Sequence, residues 1–192
     1  TFDSRIASTA TLIDQTTHLE LKDTHSREFD AVKQQIKQYQ AVFQSVVELI
    51  SQRNTLVNQK LDPNGFIMRE TLSAMMTSAH NSGDTELALY TSELQESVLT
   101  ARLYAIKFLI NNNASDAEAT RKEFAHIKQR ETALNSYLIT TAQKEQFTKY
   151  QQAFIAYAQA FDSISATINK RNQLISNQLD VIGAQAAQSV EN

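Results

Sequence analysis

Three arginines stand among apolar residues at helical spacing, and they are the side chains of this chain best suited to chemistry. Arg53 shares a face with Val46, Leu49, Ile50, Leu56 and Val57. Arg171 shares one with Ile164, Ile168, Leu174 and Ile175, and Arg102 with Val98, Leu99, Ile106 and Leu109. Residues three, four and seven apart lie on one side of an α-helix, so each guanidinium is predicted to face the side that its helix buries. A buried cation needs an anion or several acceptors, because an unpaired one is prohibitively costly. Arg102 lies in mid-helix, where the carbonyls are already bonded. The chemistry open to it is recognition of a small carboxylate, which a guanidinium grips with two parallel hydrogen bonds. A protein carboxylate such as Asp62 or Asp180 is the competing partner. Tyr104, Lys107 and Arg69 are near Arg102 in sequence or register and complete the candidate ligand-binding set together with Gly65 and Gly183.

Catalysis finds no comparable support. His18, His25, His80 and His126 show no HExxH spacing and no Glu-x-x-His pair, so neither a zinc site nor a di-iron bundle is expected. There is no nucleophile elbow, P-loop or glycine-rich phosphate cradle. Cysteine is absent, which rules out thiolate ligands and disulfides. The expectation is a non-enzymatic protein with no metal and no cofactor. The net charge of −3 is spread along the chain, so a nucleic-acid partner is not expected.

The elements that carry these residues are helices. Only 3 glycines and 1 proline occur in 192 residues, too few for the turns of a sheet protein. Breakers divide the chain into a short N-terminal helix up to Thr24-His25-Ser26, a long helix from about Ser26 that Pro63 should kink, and a stop at Gly83 with Asp84 as N-cap. A third helix runs from Asp84 to about Ile110 and ends at Asn111-Asn112-Asn113. A fourth opens on Ser115 and Glu118, a capping-box spacing, and the last opens on Thr140 and Gln143 and runs to the C-terminus. No run of 18 apolar residues exists, so no transmembrane helix lies within the chain. The membrane is expected only through helices outside it.

One stretch is written twice. Tyr39–Gly65 and Tyr157–Gly183 lie 118 residues apart and share ten identities in 27 positions, among them Arg53/Arg171, Asn54/Asn172, Leu61/Leu179, Asp62/Asp180 and Gly65/Gly183. Random composition gives roughly two. Taken as parallel and in register, the two copies become the paired struts of two stacked antiparallel helical bundles, sharing two long helices. The upper module then comprises about 1–53 with 115–171, and the lower about 54–113 with 172–192. In this scheme the fourth helix continues beyond the third, and the lower bundle lacks its first helix, either trimmed or supplied by a partner. Arg53 and Arg171, with Asn54 and Asn172, fall at the junction beside the last carbonyls of the third helix. There they serve as structural fasteners or as a second ligand site. Arg102 falls opposite the levels of Gly65 and Gly183, where two glycines leave room for a small molecule.

The doubled Arg-Asn-x-Leu…Leu-Asp-x-x-Gly, the Ala101–Leu109 segment ARLYAIKFL and the stacked-bundle reading together resemble the helical bimodular sensor domain of bacterial methyl-accepting chemotaxis proteins. The resemblance implies a periplasmic domain of an inner-membrane protein, lying between two transmembrane helices. It implies a parallel homodimer that binds a small organic acid and transmits a helix displacement across the membrane in chemotaxis signal transduction. Arg102 matches the arginine of the family's Arg-x-Tyr helix. Related sensor histidine kinases read a periplasmic binding protein instead, and a purely structural helical bundle is the third alternative.

Overall fold

The computed structural model describes the backbone of residues 23–191 and the side chains of residues 30–189. The expected N-terminal helix, His18, His25 and Phe29 lie outside the described residues or side chains. The described chain is all-α, with no strand. The helices are α1 (Asp23–Leu56), α2 (Asp62–Ser82), α3 (Thr85–Asn111), α4 (Ala114–Asn135), α5 (Thr141–Leu174) and α6 (Asp180–Glu191). Two π-helical segments, Val57–Leu61 and Ile175–Leu179, join α1 to α2 and α5 to α6. Thr24 to Ser26 are already helical, so the break expected there does not occur.

The stops are local chemistry. Gly83 closes α2 at φ 71°, and its N–H and that of Asp84 bond back to the last turn of the helix. A left-handed residue is tolerated there because glycine has no Cβ. Asp84 then caps α3, its Oδ1 accepting the Leu87 N–H at 3.0 Å. Asn112 ends α3 at φ 55°, with its N–H on Phe108 O. The box at α5 forms as expected: Gln143 Oε1 accepts the N–H groups of Ile139 and Thr140, and Thr140 Oγ1 accepts the Gln143 N–H. The box expected at Ser115 does not form. Asn113 takes the N-cap position without a side-chain bond, and Ser115 lies inside α4.

Pro63 does not break the chain. It sits in the first turn of α2, behind the π segment at Val57–Leu61. Proline is not the cause of that segment, because the second copy carries Val181 at this place and has its own π segment at Ile175–Leu179. A spacing does explain it. Arg53, Val57, Leu61 and Gly65 recur every four residues, as do Arg171, Ile175, Leu179 and Gly183. On an α-helix such a set drifts about 40° per turn. One π turn takes up an extra residue and returns the set to one face. Leu61 and Leu179, at the ends of the two segments, are both buried.

The chain divides into two compact units: residues 1–52 with 167–192, and residues 53–166. In the first, Val32, Val46, Leu49, Ile168 and Leu179 are buried, and a Cβ added to Gly183 would lie 3.7 Å from the Tyr39 ring. The second unit is a four-helix bundle of alternating direction, built from residues 53–82, α3, α4 and the first part of α5. Each helix sends one apolar stripe inward: Leu61, Met68, Leu72 and Met75; Leu87, Leu94, Val98 and Phe108; Phe124, Ile127 and Leu134; Phe147, Phe154, Tyr157, Phe161 and Ile164.

Two expectations are overturned here. Helix α4 does not continue beyond α3; it folds back along it. The left-handed Asn112 and the single following residue leave only a tight reversal, and Arg130 on α4 donates to Glu93 O on α3. The expected modules therefore give way to the observed division, with residues 115–135 in the same bundle as residues 54–113. The parallel register fails too. Within the bundle Gly65 of the first copy meets Tyr157 of the second, whereas parallel copies would set Gly65 level with Gly183. With α2 antiparallel to α3 and two further reversals before α5, the α2 and α5 segments of this unit run in opposite directions.

Asp84→Ala removes the α3 cap and is expected to lower stability by about 1 kcal/mol, read as a shifted denaturation midpoint at unchanged slope.

Candidate ligand site at Arg102

The bundle contains five arginines, and four have acceptors. Arg53 Nη2 donates to Leu109 O at 2.7 Å and Nη1 to Asn54 Oδ1 at 2.8 Å. Arg69 pairs with Glu70 at 2.6 Å. Arg121 binds Asp162 Oδ1 through Nε and Nη2 and reaches Ser165 Oγ. Arg130 donates to Glu93 O and pairs with Glu96 at 3.4 Å. Arg102 is the exception. It is half-buried, and among the described residues no carboxylate or carbonyl binds it. Asp62, the competing partner within this bundle, forms no ion pair with it.

Arg102 instead lies against Gly65 and Tyr157. A Cβ built on Gly65 would stand 3.0 Å from Arg102 Nε and 3.1 Å from Tyr157 Cε2. The glycine is needed for this approach, because any side chain would enter space that the arginine and the ring already fill. On the Gly65 side the room expected for a small molecule is taken up by Arg102 and the Tyr157 ring. Gly183 lies in the other unit, beside Tyr39. Tyr157 is buried, and desolvation pushes its phenol well above the usual tyrosine range, with Arg102 drawing it down and Asp62 raising it. The ring is therefore a neutral hydroxyl at any physiological pH, flanked by one cation and one anion. That set can orient a small carboxylate: Arg102 would grip the anion, and the Tyr157 hydroxyl is a neutral donor on α5.

The other expected ligand residues do not converge. Lys107 Nζ lies 5.2 Å from the Tyr104 ring, one helical turn away, a cation–π pair along the surface of α3. Arg69 stacks over Phe66 as well as pairing with Glu70. Arg53 is the fastener expected at the last turn of α3, bonding the carbonyl of Leu109. Arg171 forks onto Asn172 Oδ1, so in each copy the Arg-Asn pair is a contact between neighbours. Two surface clefts of the bundle lie elsewhere. One, about 580 Å³, is lined by Met76, Thr77, His80 and Leu89 with their neighbours on α2 and α3; the other lies along α2 from Glu70 to Ser82. Both are shallow, and neither includes Arg102 or any other arginine or lysine.

Sequence reasoning missed Tyr157 as a partner of Arg102, although it is the first letter of the second repeat copy. Only an antiparallel pairing of the copies brings it to Gly65. This geometry separates the two glycines. Gly183→Ala meets only ordinary contact at 3.7 Å and is expected to stabilise by about 0.5–1 kcal/mol through helix propensity. Gly65→Ala gains the same propensity but must displace Arg102 or the buried ring. Its net effect is a loss of about 1 kcal/mol. Parallel denaturation curves of the two variants decide this. No protein family, no curated protein and no solved structure matches the chain in comparison.

Proposed function

We propose that this chain is an extracytoplasmic sensing domain of a bacterial receptor, of the chemotaxis type. On this reading it binds a small organic acid beside Arg102 and passes a helix displacement to segments outside it. The reading rests on one observation: Arg102 alone among the bundle's arginines has no protein acceptor among the described residues, although it is half-buried; Leu99 and Ile106 of its apolar stripe are themselves exposed. A guanidinium so placed gains most from a carboxylate ligand, because hydrogen bonds between ionised partners are worth about 1.5–3 kcal/mol each. The placement on α3 also suits a signal. Arg102 lies against Gly65 on α2, where the Tyr157 ring of α5 also packs, so an anion drawn to it acts where three helices meet, and binding that favours one of two packings shifts the population between them. The reading includes a periplasmic placement, a homodimer and membrane attachment through helices outside this sequence. It includes no catalytic role, cofactor or nucleic-acid partner.

A thermal-shift screen of mono- and dicarboxylic acids tests it. At 100 times Kd an acid contributes about 2.7 kcal/mol, which for a chain of this size raises Tm by roughly 5–10 °C. The matching amides are expected to give no shift. Arg102→Ala is expected to abolish the response and Arg102→Lys to weaken it. If no acid shifts the wild type, or if Arg102→Ala responds equally, this function is wrong.

A further inference from the structure

The lower half of the bundle carries a polar layer that the Arg102 site does not use. On α4 the buried positions include Thr120, Phe124, Ile127 and Leu134, and Glu131, half-buried, falls between the last two at the same helical spacing, so a carboxylic acid interrupts an apolar run. Across from it on α5 is Tyr150, with a relative exposure of 0%. Glu131 Oε1 and the Tyr150 hydroxyl are both sealed from solvent and complete no well-formed hydrogen bond, yet they face one another closely enough to alter each other's ionisation. Gln95 Oε1 and Thr91 Oγ1 on α3 are likewise buried and unpartnered. They lie on the stretch of α3 that Arg130, next to Glu131, ties to α4 through Glu93 O and Glu96. Gln95 Nε2 in turn binds Ser73 Oγ on α2 at 3.1 Å. Buried polar atoms are satisfied in more than about nine cases in ten, and a layer with several unpaired oxygens calls for one more proton donor.

We propose that Glu131 is the proton-binding site of a latch between α4 and α5. In the closed state its carboxyl is protonated, and the O–H donates to the facing Tyr150 Oη. Releasing that proton to solvent leaves a carboxylate in the core with the Tyr150 O–H as its donor. The layer must then admit water or open. The surroundings favour the neutral form. From α5 the carboxyl faces Tyr150, a hydroxyl; on α3 the backbone carbonyl of Glu93 and the carboxylate of Glu96 are engaged by Arg130. On α4 itself Lys128 supplies the one nearby cation that helps ionisation, and Arg130 is already engaged. Burial raises the Glu131 carboxyl above its ordinary range, only partly offset by Tyr150 and Lys128. The native state therefore binds more protons than the unfolded chain between the ordinary glutamate value, about 4.3, and the raised one. Stability then falls as pH rises through that window and levels off above it. This latch is independent of any ligand at Arg102.

Carbon-13 carboxyl NMR on the wild type reads the midpoint of Glu131 directly, with the signal assigned by its absence in Glu131→Gln. The expected midpoint lies above the ordinary glutamate value, about 4.3. Across the same window, amide exchange in the lower halves of α4 and α5 is expected to rise by about tenfold or more beyond the intrinsic rate. Glu131→Gln, a neutral carboxamide, should show no such rise, and Tyr150→Phe should move the midpoint. An ordinary Glu131 midpoint overturns the proposal, and so does the same exchange profile in wild type and Glu131→Gln. If Glu131→Gln fails to fold, the midpoint and exchange of the wild type decide alone, with the signal then assigned by through-bond correlation.

Discussion

Phe124 is the contact on which the bundle depends. From α4 it meets Phe154, Tyr157 and Phe161 edge-on, at centroid distances of 5.6, 6.1 and 5.7 Å. Phe161 also packs against Phe108 of α3 at 5.6 Å. Aromatic pairs of this geometry add to the burial of their area. They can form only if α4 folds back beside α3 and α5 returns beside α4. The two-residue reversal at Asn112 and Asn113 is therefore more than a loop. It decides which helices share a core, and hence that Tyr157 stands beside Arg102.

Charge is handled by one rule throughout the bundle, with an exception at each end of its use. Arginines near the core are given acceptors: a helix-end carbonyl for Arg53, a carboxylate and a hydroxyl for Arg121, and a carbonyl with a carboxylate for Arg130. Leaving such groups unpaired would cost more than most surface ion pairs return. Arg102 departs from the rule as a cation without an anion, and Glu131 departs from it as an acid turned inward. The first suits a ligand and the second a proton. The tyrosines separate the two levels of the core: Tyr157 accompanies Arg102 and Tyr150 accompanies Glu131, both buried and both held neutral by desolvation. A third pair closes the end of the bundle. Tyr137 stacks on Tyr90 and its hydroxyl bonds that of Tyr90 at 3.0 Å, which pushes the Tyr137 phenol up to about 12.

Much of the local structure was legible in the residues. Gly83, Asp84, Thr140 and Gln143 act as their types require, because caps and left-handed turns are settled within four residues. The all-α class followed from the scarcity of glycine and proline. The clasp of Arg53 on the end of α3 was legible as well, since a cation near orphan carbonyls has few other uses. The two π segments were written in the four-residue spacing of Arg53, Val57, Leu61 and Gly65 but were obscured by Pro63, which offered a ready and mistaken cause. Glu131 could have been found by continuing the stripe of Phe124 and Ile127 by one more turn.

What the sequence determined by itself is the helices, their ends and the doubled motif, all of which rest on short-range bonding and on the period of an α-helix. The direction in which the two copies meet was decided only by the tertiary structure. An identical apolar face packs as well against a parallel neighbour as against an antiparallel one, and nothing in a repeat distinguishes them. The choice came from the short connections after Ser82, Asn111 and Asn135 and from the rings that then met around Phe124. With it came the pairing of Gly65 with Tyr157, and the closing of a space that the glycines alone seemed to promise.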